Sequence, residues 1–229
     1  MLGEKMHRFV LFDIDGTLIN PGGAGRRSVT RAFYEMFSIH EAFAGARMAG
    51  KTDIQIIKEG LARHKLPIGD GILSSILSMY VEILQTEIPN SKGHINPGVV
   101  GLLDALRETD GYWLGLLTGN IERGARIKLG AFGLNEYFQV GAFGDDSEDR
   151  NSLLPIAVEK LKTRAGIDIG YNDCIVVGDT PLDVECSKPF GAISVAVATG
   201  PYSYESLLKA GADYVLRDLS CALDIIKSI

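Results

Sequence analysis

At 229 residues, 46% hydrophobic and 23% charged, the chain has the composition of a globular protein with room for one sizeable core, or for a core and a small second unit. Its 29 acidic residues outnumber 23 basic ones, and the resulting net charge of −6 argues against a nucleic-acid or anionic-membrane surface. Three cysteines without C-x-x-C spacing and four scattered histidines argue against a disulfide framework and a zinc site, so free thiols and a cytoplasmic location are expected.

In chain order, residues 1–8 hold no apolar run of the signal-peptide kind, and no window reaches the length of a membrane span. A strand is expected over 8–13, because Phe9-Val10-Leu11-Phe12 is a continuous apolar run of the sort that is buried on both faces in a parallel sheet. It ends in Asp13-Ile14-Asp15-Gly16-Thr17-Leu18, two carboxylates, a glycine and a hydroxyl. Isolated buried carboxylates are costly unless paired, hydrogen-bonded or bound to metal, so a cation is expected beside them. The plain alternative is a turn at Asp15-Gly16 with Asp13 as a cap.

After the breaker-rich Asn20–Gly25, helical spacing runs through 26–37, 53–64 and 70–87. It is clearest in the stripe Ile72, Leu73, Ile76, Leu77, Tyr80, Val81 and Leu84, with Ser74, Ser75, Ser78, Glu82 and Gln85 expected toward water. Within this block Gly45-Ala46-Arg47-Met48-Ala49-Gly50-Lys51-Thr52 satisfies the G-x-x-x-x-G-K-[ST] pattern of a phosphate-binding P-loop. A helix follows, as a P-loop requires, but Ile39–Ala44 before it is a poor strand, so a nucleotide-binding protein stays open only as an alternative.

A second breaker-rich stretch, 88–98, opens a region of alternating elements. Strands are expected at Tyr112–Leu117, Phe138–Phe143, Cys174–Val177, Ile193–Ala198 and Tyr214–Leu216, with helices at 99–108, 122–132, 151–165 and 204–211. Alternation of this kind predicts an α/β fold, a doubly wound parallel sheet, with 20–95 inserted after the first strand. The expected division is therefore 1–19 with 96–229 as the core and 20–95 as a helical unit. Thr118-Gly119-Asn120 and Gly178-Asp179-Thr180-Pro181-Leu182-Asp183 follow two of the apolar runs, and parallel strands would bring both clusters to the edge that carries Asp13. Taken singly, the first reads equally well as a helix N-cap and the second as a turn.

Together these residues resemble the haloacid dehalogenase-like hydrolase superfamily. Its D-x-D-G-T-[LV] signature stands here as Asp13-Ile14-Asp15-Gly16-Thr17-Leu18, its second motif resembles Thr118, and its fourth, G-D-x-x-x-D, resembles Gly178-Asp179 with Asp183. The third motif normally supplies a Lys or Arg; Arg150 is the best match, with Lys160 and Lys162 further along. The acidic run 145–149 reads as a solvated loop carrying charge toward a helix N-terminus, with a second metal site as the alternative.

The resemblance, closest to the phosphoglycolate phosphatase-like branch, implies a Rossmann-like core with a small helical cap at 20–95. It also implies a Mg²⁺-dependent phosphatase that cleaves a small phosphorylated metabolite through an aspartyl-phosphate. Asp13 would be the nucleophile and Asp15 the acid and base. Asp13, the Asp15 backbone carbonyl and Asp179 would hold the metal with support from Asp183, while Thr118, Gly119, Asn120 and Arg150 bind the phosphoryl oxygens. Arg26, Arg47 and Lys51 are candidate substrate contacts from the cap. The second aspartate favours phosphoryl chemistry over dehalogenation. A sugar phosphomutase of the same superfamily and a phospho-acceptor that does not turn over remain alternatives.

Overall fold

A computed structural model of the protein describes residues 7–229, so the first six residues of the expected core lie outside the described part. The chain begins with β1 (Arg8–Phe12), β2 (Ile19–Asn20), α1 (Ala24–Phe37), α2 (Asp53–Arg63) and α3 (Asp70–Glu87). After β3 (His94–Ile95), strands and helices alternate through α4 (Val99–Glu108), β4 (Tyr112–Leu117), α5 (Glu122–Ala131), β5 (Val140–Ala142) and α6 (Leu153–Ala165). The last elements are β6 (Cys174–Gly178), α7 (Pro181–Ser187), β7 (Ile193–Val197), α8 (Tyr204–Lys209), β8 (Tyr214–Leu216) and α9 (Ala222–Ser228).

Six strands form one sheet in the order β5-β4-β1-β6-β7-β8, and every pairing is parallel. The alternation of side chains along β1 explains why it sits in the middle. Val10 and Phe12 enter a core under α4, α5 and α9, whereas Phe9 and Leu11 enter another packed by α6. Ile175 and Val177 on β6 divide from Cys174 and Val176 in the same way. Both faces of the sheet are therefore covered, which is why these strands read as unbroken apolar runs. Because β1 lies between β4 and β6, the strand order reverses there, and a crevice opens at its carboxyl end.

The helices α1, α2 and α3 pack around an apolar cluster of their own that includes Phe33, Phe43, Leu61, Ile76, Tyr80 and Leu84. The α3 stripe falls as its spacing predicts: Ile76, Tyr80, Val81 and Leu84 are buried, and Ser74, Ser75, Ser78, Glu82 and Gln85 are exposed. The two-stranded antiparallel ribbon β2–β3 brackets this block by pairing Ile19 with Ile95 and Asn20 with His94. No helix among the described residues is long and apolar enough to cross a membrane.

Three elements differ from expectation for local reasons. The strand expected over 138–143 narrows to Val140–Ala142, because Asn135–Tyr137 is a 3₁₀ turn that runs into Phe138. The helix expected from 151 begins at Leu153, preceded by a 3₁₀ turn at Arg150–Ser152 that the Asp149 carboxylate caps at the Asn151 N–H. The P-loop match is a correction: residues 39–51 contain no strand, and Thr52 is the N-cap of α2, in a capping box with Gln55. The G-K-T match therefore lacks the strand and phosphate cradle of a nucleotide loop.

Candidate active site

Each strand that ends at the crevice delivers one polar cluster. Asp13 follows β1 directly, and its N–H donates to the Val177 carbonyl at 2.9 Å, so the sheet ladder itself sets its position. Thr118 follows β4, its N–H bonded to the Ala142 carbonyl at 3.1 Å. Asp179 follows β6 and is fully buried. Asp183 is fixed by the start of α7, where its Oδ2 accepts from the Thr180 N–H at 2.9 Å and the Thr180 hydroxyl at 2.7 Å. Pro181, in the first turn of α7, suits a helix start because it has no N–H to leave unpaired.

Arg150 is buried among these carboxylates. Its Nη2 lies 3.2 Å from Asp13 Oδ1 and donates to Asp183 Oδ1, while its Nη1 donates to the Gly50 carbonyl at 3.1 Å. Burial alone would lower the guanidinium's proton affinity, but Asp183 and Asp13 outweigh it and raise its pKa above the ordinary arginine value. Asp13 is pushed up to about 6 by burial, with Arg150 opposing and Asp183 and Asp15 reinforcing. Asp179 is raised well above the ordinary aspartate value by burial, then by its neighbours Asp13 and Asp183.

Candidate ligand oxygens of Asp13, Asp179 and Asp183 lie within 4.8 Å of one another. Thr17 donates to Asp179 Oδ1 at 3.2 Å, but Asp179 Oδ2 is buried with no hydrogen-bond partner. Around it the backbone of Gly16 and Gly200 approaches so closely that a Cβ at either position would collide with the Asp179 carboxylate. Three crowded carboxylates, one with an orphaned oxygen, are an all-oxygen donor set suited to a small hard divalent cation. The residues present fit a Mg²⁺ ion.

Asp15 stands at the mouth of the crevice. Its Oδ2 accepts from Lys128 Nζ at 2.6 Å and from Asn120 Nδ2 at 2.8 Å, and Asn120 Nδ2 also donates to Thr118 Oγ1 at 2.9 Å. Together with Gly119, Arg150, Arg26, Arg47 and Lys51, Asp13 and Asp15 line a cavity of about 780 Å³ between the strand ends and the helical block. Thr118, Asp179 and Asp183 lie beneath it. Two of the helical-block cations already have partners: Arg26 donates to the carbonyls of Phe43 and Ala46, and Lys51 pairs with Glu59 at 2.6 Å. Arg47 is exposed.

Lys160 pairs with Asp146 at 2.6 Å and Lys162 with Asp168 at 3.3 Å, so of the three third-motif candidates only Arg150 reaches the carboxylates. The acidic run is tied into the structure and not merely solvated. Asp145 accepts from the Glu122 N–H at the start of α5, Asp146 from the Phe143 N–H, and Glu148 pairs with Lys58 of α2.

A profile of the haloacid dehalogenase-like hydrolase family matches residues 10–197, from β1 through β7. The chain belongs to that family. This hydrolase is 28% identical over 225 residues to the phosphoglycolate phosphatase of Rhodospirillum rubrum, a match covering 94% of the chain and 89% of the relative. It is 27% identical over 223 residues to the pyrophosphatase PpaX of Halalkalibacterium halodurans, covering 95% of each. Among solved structures, a predicted phosphatase from Clostridium acetobutylicum superposes with a TM-score of 0.75 at 22% identity, over 98% of this hydrolase and all of that chain. The last likeness is one of fold.

Sequence reasoning missed two residues of this hydrolase's crevice. Lys128 is buried on α5 beside Gly124, Ala125 and Leu129, and a lone lysine on the apolar face of that helix was the available signal. Asp53, in the first turn of α2, accepts from the Ile121 N–H at 2.9 Å and donates its own N–H to the Gly119 carbonyl at 2.8 Å, joining the helical block to the loop after β4. Burial pushes the Asp53 carboxyl up to about 6 against the lowering effect of Lys128. A carboxyl whose folded pKa exceeds its unfolded value binds a proton more tightly when folded; its contribution is complete below the ordinary aspartate value and lost as pH rises through about 6. Asp53→Asn, which keeps an acceptor for Ile121, is expected to remove that share. Urea midpoints at pH 4.5 and 7.5 should show the wild type losing on the order of 1–3 kcal/mol more than the variant across the interval, and parallel profiles would contradict it.

Proposed function

We propose that this hydrolase is a Mg²⁺-dependent phosphatase that removes the phosphoryl group from a small doubly anionic metabolite, such as a phosphoglycolate-like monoester. The observation that carries the proposal is the convergence of Asp13, Arg150, Asp179 and Asp183 at the strand ends, beneath a cavity edged by further cations. In this reading residues 1–19 and 96–229 form the catalytic core and 20–95 a cap that closes over the substrate.

An Asp13 carboxylate oxygen forms a bond to phosphorus as the ester P–O bond breaks. Asp15 gives its proton to the departing oxygen, then takes one from the water that cleaves the aspartyl-phosphate and frees Asp13. Arg150, the Thr118 hydroxyl and the backbone N–H groups of Gly119 and Asn120 hold the non-bridging oxygens as their charge builds. Asp13, the Asp15 backbone carbonyl and Asp179 would hold Mg²⁺, with Asp183 behind them. When bound, that ion supplies charge neutralisation between an anionic nucleophile and an anionic ester. Arg47, Arg26 and Lys51 face the rest of the substrate, and relatives named for phosphoglycolate and for pyrophosphate both point to a second negative group there.

Turnover of p-nitrophenyl phosphate, 2-phosphoglycolate and pyrophosphate with Mg²⁺ and with EDTA tests the reading, and hydrolysis that needs the metal is expected. Independently of activity, added Mg²⁺ is expected to raise the thermal midpoint of the wild type and not of Asp179→Asn. Metal-independent hydrolysis, or no hydrolysis of any phosphate ester, overturns it.

A further inference from the structure

Among the described residues Lys128 is the one buried lysine, and it belongs to none of the motifs that carry the family resemblance. From α5 its ammonium reaches two acceptors, Asp15 Oδ2 at 2.6 Å and Asn120 Oδ1 at 2.5 Å, with Tyr80 of α3 among its electrostatic neighbours. Two of its three N–H donors are committed, and together they tie the ammonium to Asp15 and Asn120. Asp53 adds a second negative charge nearby, and the surrounding carboxylates more than repay the cost of burying the cation.

The consequence falls on Asp15. Its Oδ2 is held from two sides, by Lys128 and by Asn120 Nδ2, whereas its Oδ1 is buried and has no hydrogen-bond partner. A free carboxyl spreads its proton over two equivalent oxygens and over its rotamers. This one has two unequal oxygens, one anchored and one buried without a partner.

We propose that Lys128 is a positioning residue for Asp15: by holding Oδ2 it dedicates Oδ1 to proton transfer with the departing ester oxygen and with the attacking water. This rests on Asp15 being the acid and base of the reaction. In the first half, Asp13 bonds to phosphorus, the ester P–O bond breaks, and the proton on Asp15 Oδ1 passes to the departing oxygen to give the alcohol. In the second half, water bonds to phosphorus, the acyl-phosphate P–O bond breaks to restore the Asp13 carboxylate, and the water's proton returns to Asp15 Oδ1. Lys128 neither gains nor loses a proton; it is the fixed counter-charge that lets the Asp15 carboxylate form between the halves without turning away.

The test compares a leaving group that needs a proton with one that does not, through kcat/KM, which reports the first half-reaction. In Lys128→Met, kcat/KM for glycerol 2-phosphate is expected to fall by about 100-fold, the usual worth of a placed general acid. For p-nitrophenyl phosphate, whose nitrophenolate departs unprotonated, the expected fall in kcat/KM is under about threefold. Lys128→Arg, which keeps a charged donor, is expected to recover part of the alkyl rate. Equal losses on both esters would make Lys128 merely structural and overturn the proposal, as would no loss on either. Should the Met variant fail to fold, Lys128→Gln, a neutral donor, carries the same comparison and the same expected selectivity. Asp15→Asn separates the two levels: if it leaves the alkyl-to-aryl ratio unchanged, the acid–base reading of Asp15 fails. If it lowers that ratio while the Lys128 variants do not, only the role of Lys128 falls.

Discussion

Asp13→Asn is expected to remove turnover, with kcat for p-nitrophenyl phosphate down on the order of 10⁴-fold or more, the scale seen when a covalent nucleophile is deleted. The amide has nearly the size of the carboxylate but no anionic oxygen to offer phosphorus. The same change is expected to leave the fold at least as stable without metal. Burial, with Asp183 and Asp15 nearby, already holds the Asp13 carboxyl up at about 6 despite Arg150, so a neutral side chain fits a site that disfavours its charge. Stopped assays with a urea midpoint for each protein separate the two effects. Lost activity with an unchanged or raised midpoint is the expected pair, and retained activity ends Asp13's part in the account.

Arg150→Met is expected to do the reverse, weakening the fold first. The guanidinium serves Asp13, Asp183 and the Gly50 carbonyl together, and its removal leaves two buried carboxylates facing each other without a cation. Breaking a buried ion pair from one side costs about 3–5 kcal/mol, which is a large share of the stability of a typical domain. Chemical unfolding in EDTA reads this directly. Arg150→Lys is expected to recover only part, because an ammonium keeps the charge but not the planar fork that reaches two carboxylates and a carbonyl. If the loss in the Met variant is under about 1 kcal/mol, the pair behaves like an exposed one and the packing described here is not what holds the carboxylates.

Why some of this was legible in the sequence and some was not follows from how each signal is written in the chain. Phe9–Phe12 and Cys174–Val177 announced central strands because both faces of the sheet are covered and every position is apolar. The carboxylates that follow them were legible for the same reason: a parallel sheet turns the ends of distant runs into neighbours. The α3 stripe was legible because one face packs and the other is wet. Helices α7 and α9, each of seven residues, were missed because so short a run carries under two full turns of periodicity. The ribbon β2–β3 was missed because two-residue strands carry no alternation at all. Lys128 and Asp53 stayed hidden because each is a single charge on an otherwise ordinary amphipathic helix, and only tertiary packing turns their faces inward. The G-K-T match is a coincidence that its context exposed: no good strand precedes it, and Thr52 belongs to a helix cap, where a hydroxyl is favoured as it is in a phosphate loop.

The most direct test is to catch the phosphoryl group in transit. In Asp15→Asn, p-nitrophenyl phosphate can still transfer to Asp13, since nitrophenolate needs no proton, but the water that should release the group has lost its base. Mixing this variant with the substrate, quenching in acid and reducing with borohydride converts an aspartyl-phosphate to homoserine, which mass spectrometry assigns to one residue. A burst of nitrophenolate close to one equivalent, with homoserine at position 13, is the expected result. A burst with the mark on another residue, or with none, would contradict the account at its centre.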